Sequence, residues 1–278
     1  MKILRTKAEL RAQTRSWRGA GESIGVVPTM GALHEGHLSL VNAARARADR
    51  VIVTLFVNPR QFNNPDDLAK YPRTEESDSR ILDPLGVDVL YLPDLDQMYP
   101  EGFATSVSVE GLTAYLCGAT RPGHFDGVAT VVAKLLLQTD ADFAFFGEKD
   151  FQQLQVVRRM VMDLDIPTEI VGCSTIREDS GLALSSRNLR LGEDALAQAP
   201  AIYATLGATV TAIRDGGGID ASVRAAGDRL KQAGIGPIDY LELRRESDLA
   251  RATDLSTPAR LFVAAWLDGV RLIDNVPV

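Results

Sequence analysis

Apolar residues in this chain come in short dense blocks, separated by stretches in which they recur every third or fourth position. Residues 24–27 and 51–57 are the first two blocks. The second is almost continuously apolar and β-branched, as a strand buried on both faces requires. Residues 87–92, 142–146 and 169–173 repeat the signal. Between them Leu38, Leu40, Val41, Ala44 and Ala48 mark one helical face. Residues 128–137 predict a second helix. Leu154, Val157, Val161 and Leu164 predict a third over 151–164. Thr6 and Glu9 have capping-box spacing ahead of a helix running to about Trp17. Strands alternating with helices predict a parallel sheet covered by helices, an α/β fold of the Rossmann type.

The pattern changes after about residue 175. Residues 195–213 predict one long Ala-rich helix, Gly216, Gly217 and Gly218 break it, and 221–233 form another. Residues 238–243, 261–266 and 271–273 predict short strands close in sequence, hence a small antiparallel sheet. The expected division is a nucleotide- and substrate-binding domain over 1–175 and a smaller α+β lid domain over 176–278. Residues 63–71, with Asn63, Asn64, Pro65, Asp66 and Asp67, predict a mobile polar loop.

Composition narrows the partners. The 278 residues carry a net charge of −7 with no Lys/Arg-rich run, which argues against a nucleic-acid surface but leaves room for a small basic pocket. Cys117 and Cys173 form no C-x-x-C pattern, and the N-terminal residues have no apolar signal core. Uninterrupted apolar stretches such as 55–57 and 135–137 are too short to span a bilayer. The expectation is a cytoplasmic protein with no membrane association.

The chemistry concentrates where strands end. His34 and His37 lie between the 24–27 strand and the helix that follows. If that helix starts near Glu35, the two imidazoles share one face, beside unpaired backbone N–H groups that suit a phosphate. Gly31 and Gly36 allow a tight turn and close approach. A structural cap is the main alternative. A zinc site fits poorly, because H-E-x-H is one residue short of H-E-x-x-H. The third histidine, His124, lies in another glycine-containing turn. Gly147, Glu148, Lys149 and Asp150 follow the 142–146 strand, at the sheet edge where α/β proteins bind ligands. They fit a nucleoside and phosphates, or equally a charged helix start. Ser185, Ser186 and Arg187 could clamp a triphosphate or be an ordinary turn. Asn58, Gln61, Gln152, Gln153 and Gln155 offer amides to a substrate bearing hydroxyls and a carboxylate. Asp78 is a candidate oxygen ligand for Mg²⁺, with a solvated helix start as its bland alternative.

Taken in order, PTMGALHEGH (28–37), FVNPRQF (56–62), YPRT (71–74), RPGHFDGV (121–128), FGEKDFQQ (146–153), GLALSSRN (181–188) and RLIDN (271–275) resemble the pantoate–β-alanine ligase family across the whole chain. That family belongs to the cytidylyltransferase-like Rossmann proteins. The resemblance implies ATP-dependent joining of pantoate and β-alanine through pantoyl adenylate. It also implies Mg²⁺ with ATP as co-substrate and a homodimer. By matching positions, Met30, Gly31, Ala32, Leu33, His34, Glu35, Gly36 and His37 would line the ATP site, with His37 as catalytic proton donor. Gly147, Glu148, Lys149 and Asp150 would hold nucleoside and phosphates, with Lys149 the main cation. Ile176 would meet adenine through its backbone. Leu184, Ser185, Ser186 and Arg187 would close over the phosphates. Gln61 and Gln153 would hold pantoate, and Gln61 would also serve β-alanine. Some family members have adjacent acids where this chain has Ser77 and Asp78, leaving only Asp78 to approach Mg²⁺. The same scaffold would also suit a nucleotidyltransferase that releases its adenylate, or a non-catalytic nucleotide sensor.

Overall fold

A computed structural model of the chain describes residues 1–63, 65–69 and 71–278. In chain order the elements are β1 (Lys2–Leu4), α1 (Lys7–Gly19), β2 (Ile24–Thr29), α2 (Glu35–Arg45), β3 (Arg50–Leu55), α3 (Pro65–Ala69), α4 (Glu75–Leu82), β4 (Val89–Tyr91), α5 (Leu95–Met98), α6 (Leu116–Thr120), α7 (His124–Thr139), β5 (Phe143–Gly147), α8 (Phe151–Asp163) and β6 (Glu169–Cys173). The C-terminal part adds α9 (Glu193–Gln198), α10 (Ala201–Arg214), α11 (Ile219–Gln232), β7 (Ile238–Arg245), β8 (Ala259–Leu267) and β9 (Val270–Pro277).

The first six strands form one parallel sheet in the order β1-β4-β3-β2-β5-β6. From β2 the chain builds outward through β3 and β4, then crosses back to add β5 and β6 on the other side. The order therefore reverses between β2 and β5, whose register pairs Gly25 with Phe143 and Val26 with Ala144. At such a switch point the loops after neighbouring strands diverge and open a crevice.

Period-two alternation sorts the strand side chains. Val27, Val51, Val53 and Leu90 pack with Leu40, Val41 and Ala44 of α2 on one face. Ile24, Val26, Ile52 and Val89 pack with α1, α7 and α8 on the other. The predicted strands and helices are all present, with shifted ends, and β1 is an additional edge strand.

Two expectations need correction. The long helix predicted over 195–213 is two helices, because Pro200 has no N–H to donate and the chain turns at Ala199–Pro200. By length and composition the stretch Glu193–Arg214 is apolar enough to cross a membrane, a test that core helices also pass. Here Ile202, Leu206, Val210 and Ile213 are buried instead. The loop predicted over 63–71 contains the short helix Pro65–Ala69, while Asn64 and Lys70 lie outside the described residues. Finally, β7, β8 and β9 do form an antiparallel sheet, but both its faces are covered. Leu261, Val263 and Ala265 of β8 face α10 and α11. Phe262 and Ala264 join the core of the parallel-sheet part.

Candidate functional site

The turn after β2 is gripped from beneath. Gly31 and Ala32 both have positive φ, 86° and 52°, which leaves successive N–H groups pointing the same way. Asp78 of α4 collects them: its carboxylate accepts from Ala32 N–H and Leu33 N–H, both at 3.0 Å, and from the Thr74 hydroxyl at 2.9 Å. Asp78 is 1% exposed. Burial and these three donors give it a turn-holding role that the sequence reading did not include. Among the described residues no group of three or more His, Cys, Asp and Glu gathers as a metal cage.

The two histidines then cap α2 reciprocally. His34 Nδ1 accepts from Gly36 N–H at 3.2 Å, and His37 Nδ1 accepts from His34 N–H at 3.3 Å. Their rings lie 4.1 Å apart. A Cβ on residue 36 would sit 2.9 Å from the His34 ring, so only glycine permits the cap. Capping and phosphate binding are compatible, because an accepting Nδ1 leaves the proton on Nε2. Burial pushes His34 down to about 4, with the nearby Lys149 charge adding to the effect. Burial and then His34 push His37 down to about 3. At neutral pH both rings are uncharged Nε2–H donors.

On the other side of the switch point, Lys149 follows β5 beside Asp150, Nζ to Oδ2 3.7 Å. The backbone of this turn is held from the C-terminal sheet. Asn275 Nδ2 donates to the carbonyls of Glu148 at 3.0 Å and Lys149 at 2.8 Å. Arg260, 6% exposed, donates to Asn275 Oδ1 at 2.7 Å, pairs with Glu148 at 3.3 Å and stacks on Phe151.

Between the two turns lies a cavity of about 220 Å³. Met30, His34, Gly36 and His37 line it from the β2 side, and Gly147, Lys149, Asp150 and Gln153 from the β5 side. Ile176, Leu184, Ser185, Ser186 and Arg187 close its rim. Six predicted site residues do not line this cavity: Gly31, Ala32 and Leu33 shape the turn, Glu35 is exposed, Glu148 pairs with Arg260, and Asp78 lies beneath. Arg187 pairs with Asp67 of α3 at 3.2 Å, and Arg190 pairs with the same carboxylate at 2.8 Å.

Only two of the five amide candidates reach the cavity. Gln152 donates to Leu112 and Tyr115 carbonyls and accepts from Cys117 N–H, while Gln155 donates to the Glu246 carbonyl. Gln61 is buried but lines the cavity with Gln153. Asn58 donates to Gln61 Oε1 at 3.1 Å and to the Gly127 carbonyl at 3.0 Å, while accepting from Tyr99 Oη at 2.8 Å. With Oε1 engaged, Gln61 turns its N–H donors inward, beside Met30 Sδ. A Cβ at Gly127 would lie 2.3 Å from the Arg60 carbonyl, so glycine is what lets α7 lie against this turn.

Sequence reasoning missed the apolar wall, formed by Phe56, Val128, Val131, Val132 and Leu135, and missed Tyr71. The β-branched run at 128–132 was the available signal, but it served equally as core. His124 contributes indirectly: its Nδ1 meets the Gln61 carbonyl at 2.8 Å, and burial pushes it down to about 4.

Fold and crevice together define a Rossmann-type protein with a crevice lined by imidazoles and cations at its switch point. The family model "Pantoate-beta-alanine ligase" matches residues 2–277. The chain belongs to that family. A pantothenate synthetase of Roseobacter denitrificans is 60% identical over 276 residues, 99% of this chain and 97% of the relative. The crystal structure of pantothenate synthetase from Thermus thermophilus superposes with a TM-score of 0.93 at 46% identity, covering 99% of each chain. That of a pantoate–β-alanine ligase from Francisella tularensis, complexed with β,γ-ATP and β-alanine, gives 0.83 at 36% identity, covering 100% of this chain and 97% of the other.

Proposed function

We propose that this chain condenses pantoate with β-alanine at the expense of ATP, giving pantothenate, AMP and diphosphate through a bound pantoyl adenylate. Full-length family membership supports the reaction. The observation that carries the mechanism is the pairing, across one crevice, of two neutral imidazole donors with the Lys149 ammonium, beside a pocket of amides and apolar side chains.

In the first step a pantoate carboxylate oxygen forms a bond to the α-phosphorus, the bond to the β-phosphate oxygen breaks, and diphosphate leaves. The carboxylate is already ionised at neutral pH, so no general base is needed. The obstacle is an anion meeting an anion, which positioned donors and cations lower. His34 and His37 direct Nε2–H groups at phosphate oxygens, and Lys149 neutralises charge. Arg187 exchanges Asp67 for phosphate as Leu184, Ser185 and Ser186 close the rim. The family's proton donor at His37 thus acts here by hydrogen bonding. Gly147 and Asp150 take the nucleoside, and Ile176 meets adenine through its backbone. Gln61 and Gln153 orient pantoate, whose methyl groups suit the α7 wall.

In the second step the β-alanine amine attacks the acyl carbon and AMP departs. Water must be kept from the adenylate, a task for the smaller domain. The division we propose is 1–175 and 176–278, in a cytosolic homodimer. Mg²⁺ fits this site as an ion carried in on the triphosphate with its own water, as suits a cation reluctant to dehydrate; bound so, it screens phosphate charge.

The test is pyrophosphate–ATP exchange with purified protein, MgATP and pantoate. Exchange that requires pantoate but not β-alanine is expected. Absence of exchange in folded, ATP-binding protein would overturn the two-step ligase reading in favour of a nucleotide sensor.

A further inference from the structure

A second cavity, of about 500 Å³, opens between the parallel-sheet loops and the antiparallel sheet, sharing Lys149, Asp150, Gln153 and Arg187 with the first. Four guanidinium groups line it, and three have carboxylate partners: Arg187 and Arg190 on Asp67, and Arg271 on Asp239 at 2.6 Å. Arg121 alone of these four pairs with no carboxylate among the described residues. Its hydrogen bonds go to neutral acceptors, Nη1 to His124 Nε2 at 3.2 Å and Nη2 to the Gln61 carbonyl at 3.3 Å. His124 meets the same carbonyl through Nδ1, which leaves Nε2 unprotonated and free to accept from Arg121. Two of five donors are thereby used to hold the guanidinium plane, and the others remain for a ligand. Burial, with Arg187 and Arg271 nearby, disfavours the charge on Arg121. A partly buried cation in this setting gains most from an anionic partner.

We infer that Arg121 anchors the carboxylate of the amine acceptor and so sets acceptor specificity, an inference that rests on the ligase reading above. β-Alanine carries its carboxylate two methylenes from its amine. With the acyl group held beside Gln61, an amine at the acyl carbon sends that carboxylate out of the first cavity and into the second. There Arg121, tied to the Gln61 backbone, meets it. The nitrogen lone pair forms the C–N bond and the C–O bond to AMP breaks with its electron pair. One amine proton passes to solvent. Anchor and acyl holder share one backbone carbonyl, which fixes the distance between the two reacting groups.

The test compares two acceptors, β-alanine and its neutral isostere 3-aminopropanamide, in full-length protein supplied with pantoate and MgATP. Wild-type protein prefers β-alanine. In Arg121→Gln, kcat/KM for β-alanine falls on the order of 100-fold. The value for the amide stays within about threefold, so the preference collapses. Arg121→Lys restores part of the preference, and supplies the comparison if the glutamine variant does not fold. A preference for β-alanine that survives in these variants, or an equal loss for both acceptors, would overturn the anchor. Pantoate-dependent exchange in the wild-type protein separates this outcome from failure of the ligase reading, which would abolish exchange itself.

Discussion

The turn over 30–37 and the segment over 184–190 both bring donors to one crevice, yet they are held differently. The turn is fixed by Asp78 beneath and by two histidines that cap each other's helix. The segment is a short 3-10 helix, Ser186–Arg190, anchored by Ser185 Oγ and by Asn188 on the Ala183 carbonyl. Its Leu189 is 82% exposed, and its arginines rest on a single carboxylate, Asp67. Donors of the first kind need no reorganisation when phosphate arrives. Those of the second kind would have to trade one anion for another, as the proposed closing rim requires.

Breaking the fixed side should cost most. Lys149→Ala and His37→Ala are each expected to lower pantoate-dependent exchange by about 100- to 1,000-fold, the scale of losing one preorganised group. The melting temperature should change little for Lys149→Ala and drop modestly for His37→Ala, which also loses its half of the α2 cap. Near-normal exchange in either would remove the distinction drawn between the two regions. Asp78→Asn should destabilise the fold by about 2–3 kcal/mol in urea titrations, because the carboxylate's charge-assisted acceptors are lost. Its residual activity should keep the wild-type Mg²⁺ dependence; a large rise in the Mg²⁺ requirement would mark Asp78 as a ligand.

The exchangeable side should respond more gently. Asp67→Asn releases Arg187 and Arg190 from their internal anion and should tighten ATP binding by about threefold, in keeping with a partly exposed ion pair. Weaker binding, read by calorimetry, would show that Asp67 positions Arg187 rather than competing for it.

Stability with pH gives a test that bears on the fixed side alone. His34, His37 and His124 have folded pKa values below the ordinary 6.5, at about 4, 3 and 4. Between pH 6.5 and about 4 the unfolded chain binds more protons than the folded one, so stability falls as pH falls. Thermal melts from pH 7 to 5 should show this slope, and His37→Gln should flatten it. An unchanged slope would mean that the pair titrates normally.

Much of this was legible in the sequence where function and local geometry coincide. The β2–α2 turn was readable because its glycines, its caps and its imidazoles fall within ten residues, 28–37. Strand periods placed the parallel sheet for the same reason. What stayed hidden depends on contacts distant along the chain. Asn58 reaches the Gly127 carbonyl 69 residues away, and Asn275 holds the Lys149 backbone across 126. Neither asparagine carries a pattern of its own. The apolar run of β8 signalled a strand, but not that each face serves a different core. The turn-holding role of Asp78 stayed hidden because its backbone donors, Ala32 and Leu33, lie 46 and 45 residues away.

The reciprocal cap has a consequence for the interval between turnovers. Each imidazole commits Nδ1 to a backbone N–H at the start of α2, so a swapped tautomer or a flipped ring would cost the helix that cap. In the reaction proposed above, the same two Nε2 protons would then face the crevice whether diphosphate has just left or ATP is arriving. On that reading the pair would keep no memory of the previous cycle and would have no proton rearrangement to complete before the next one.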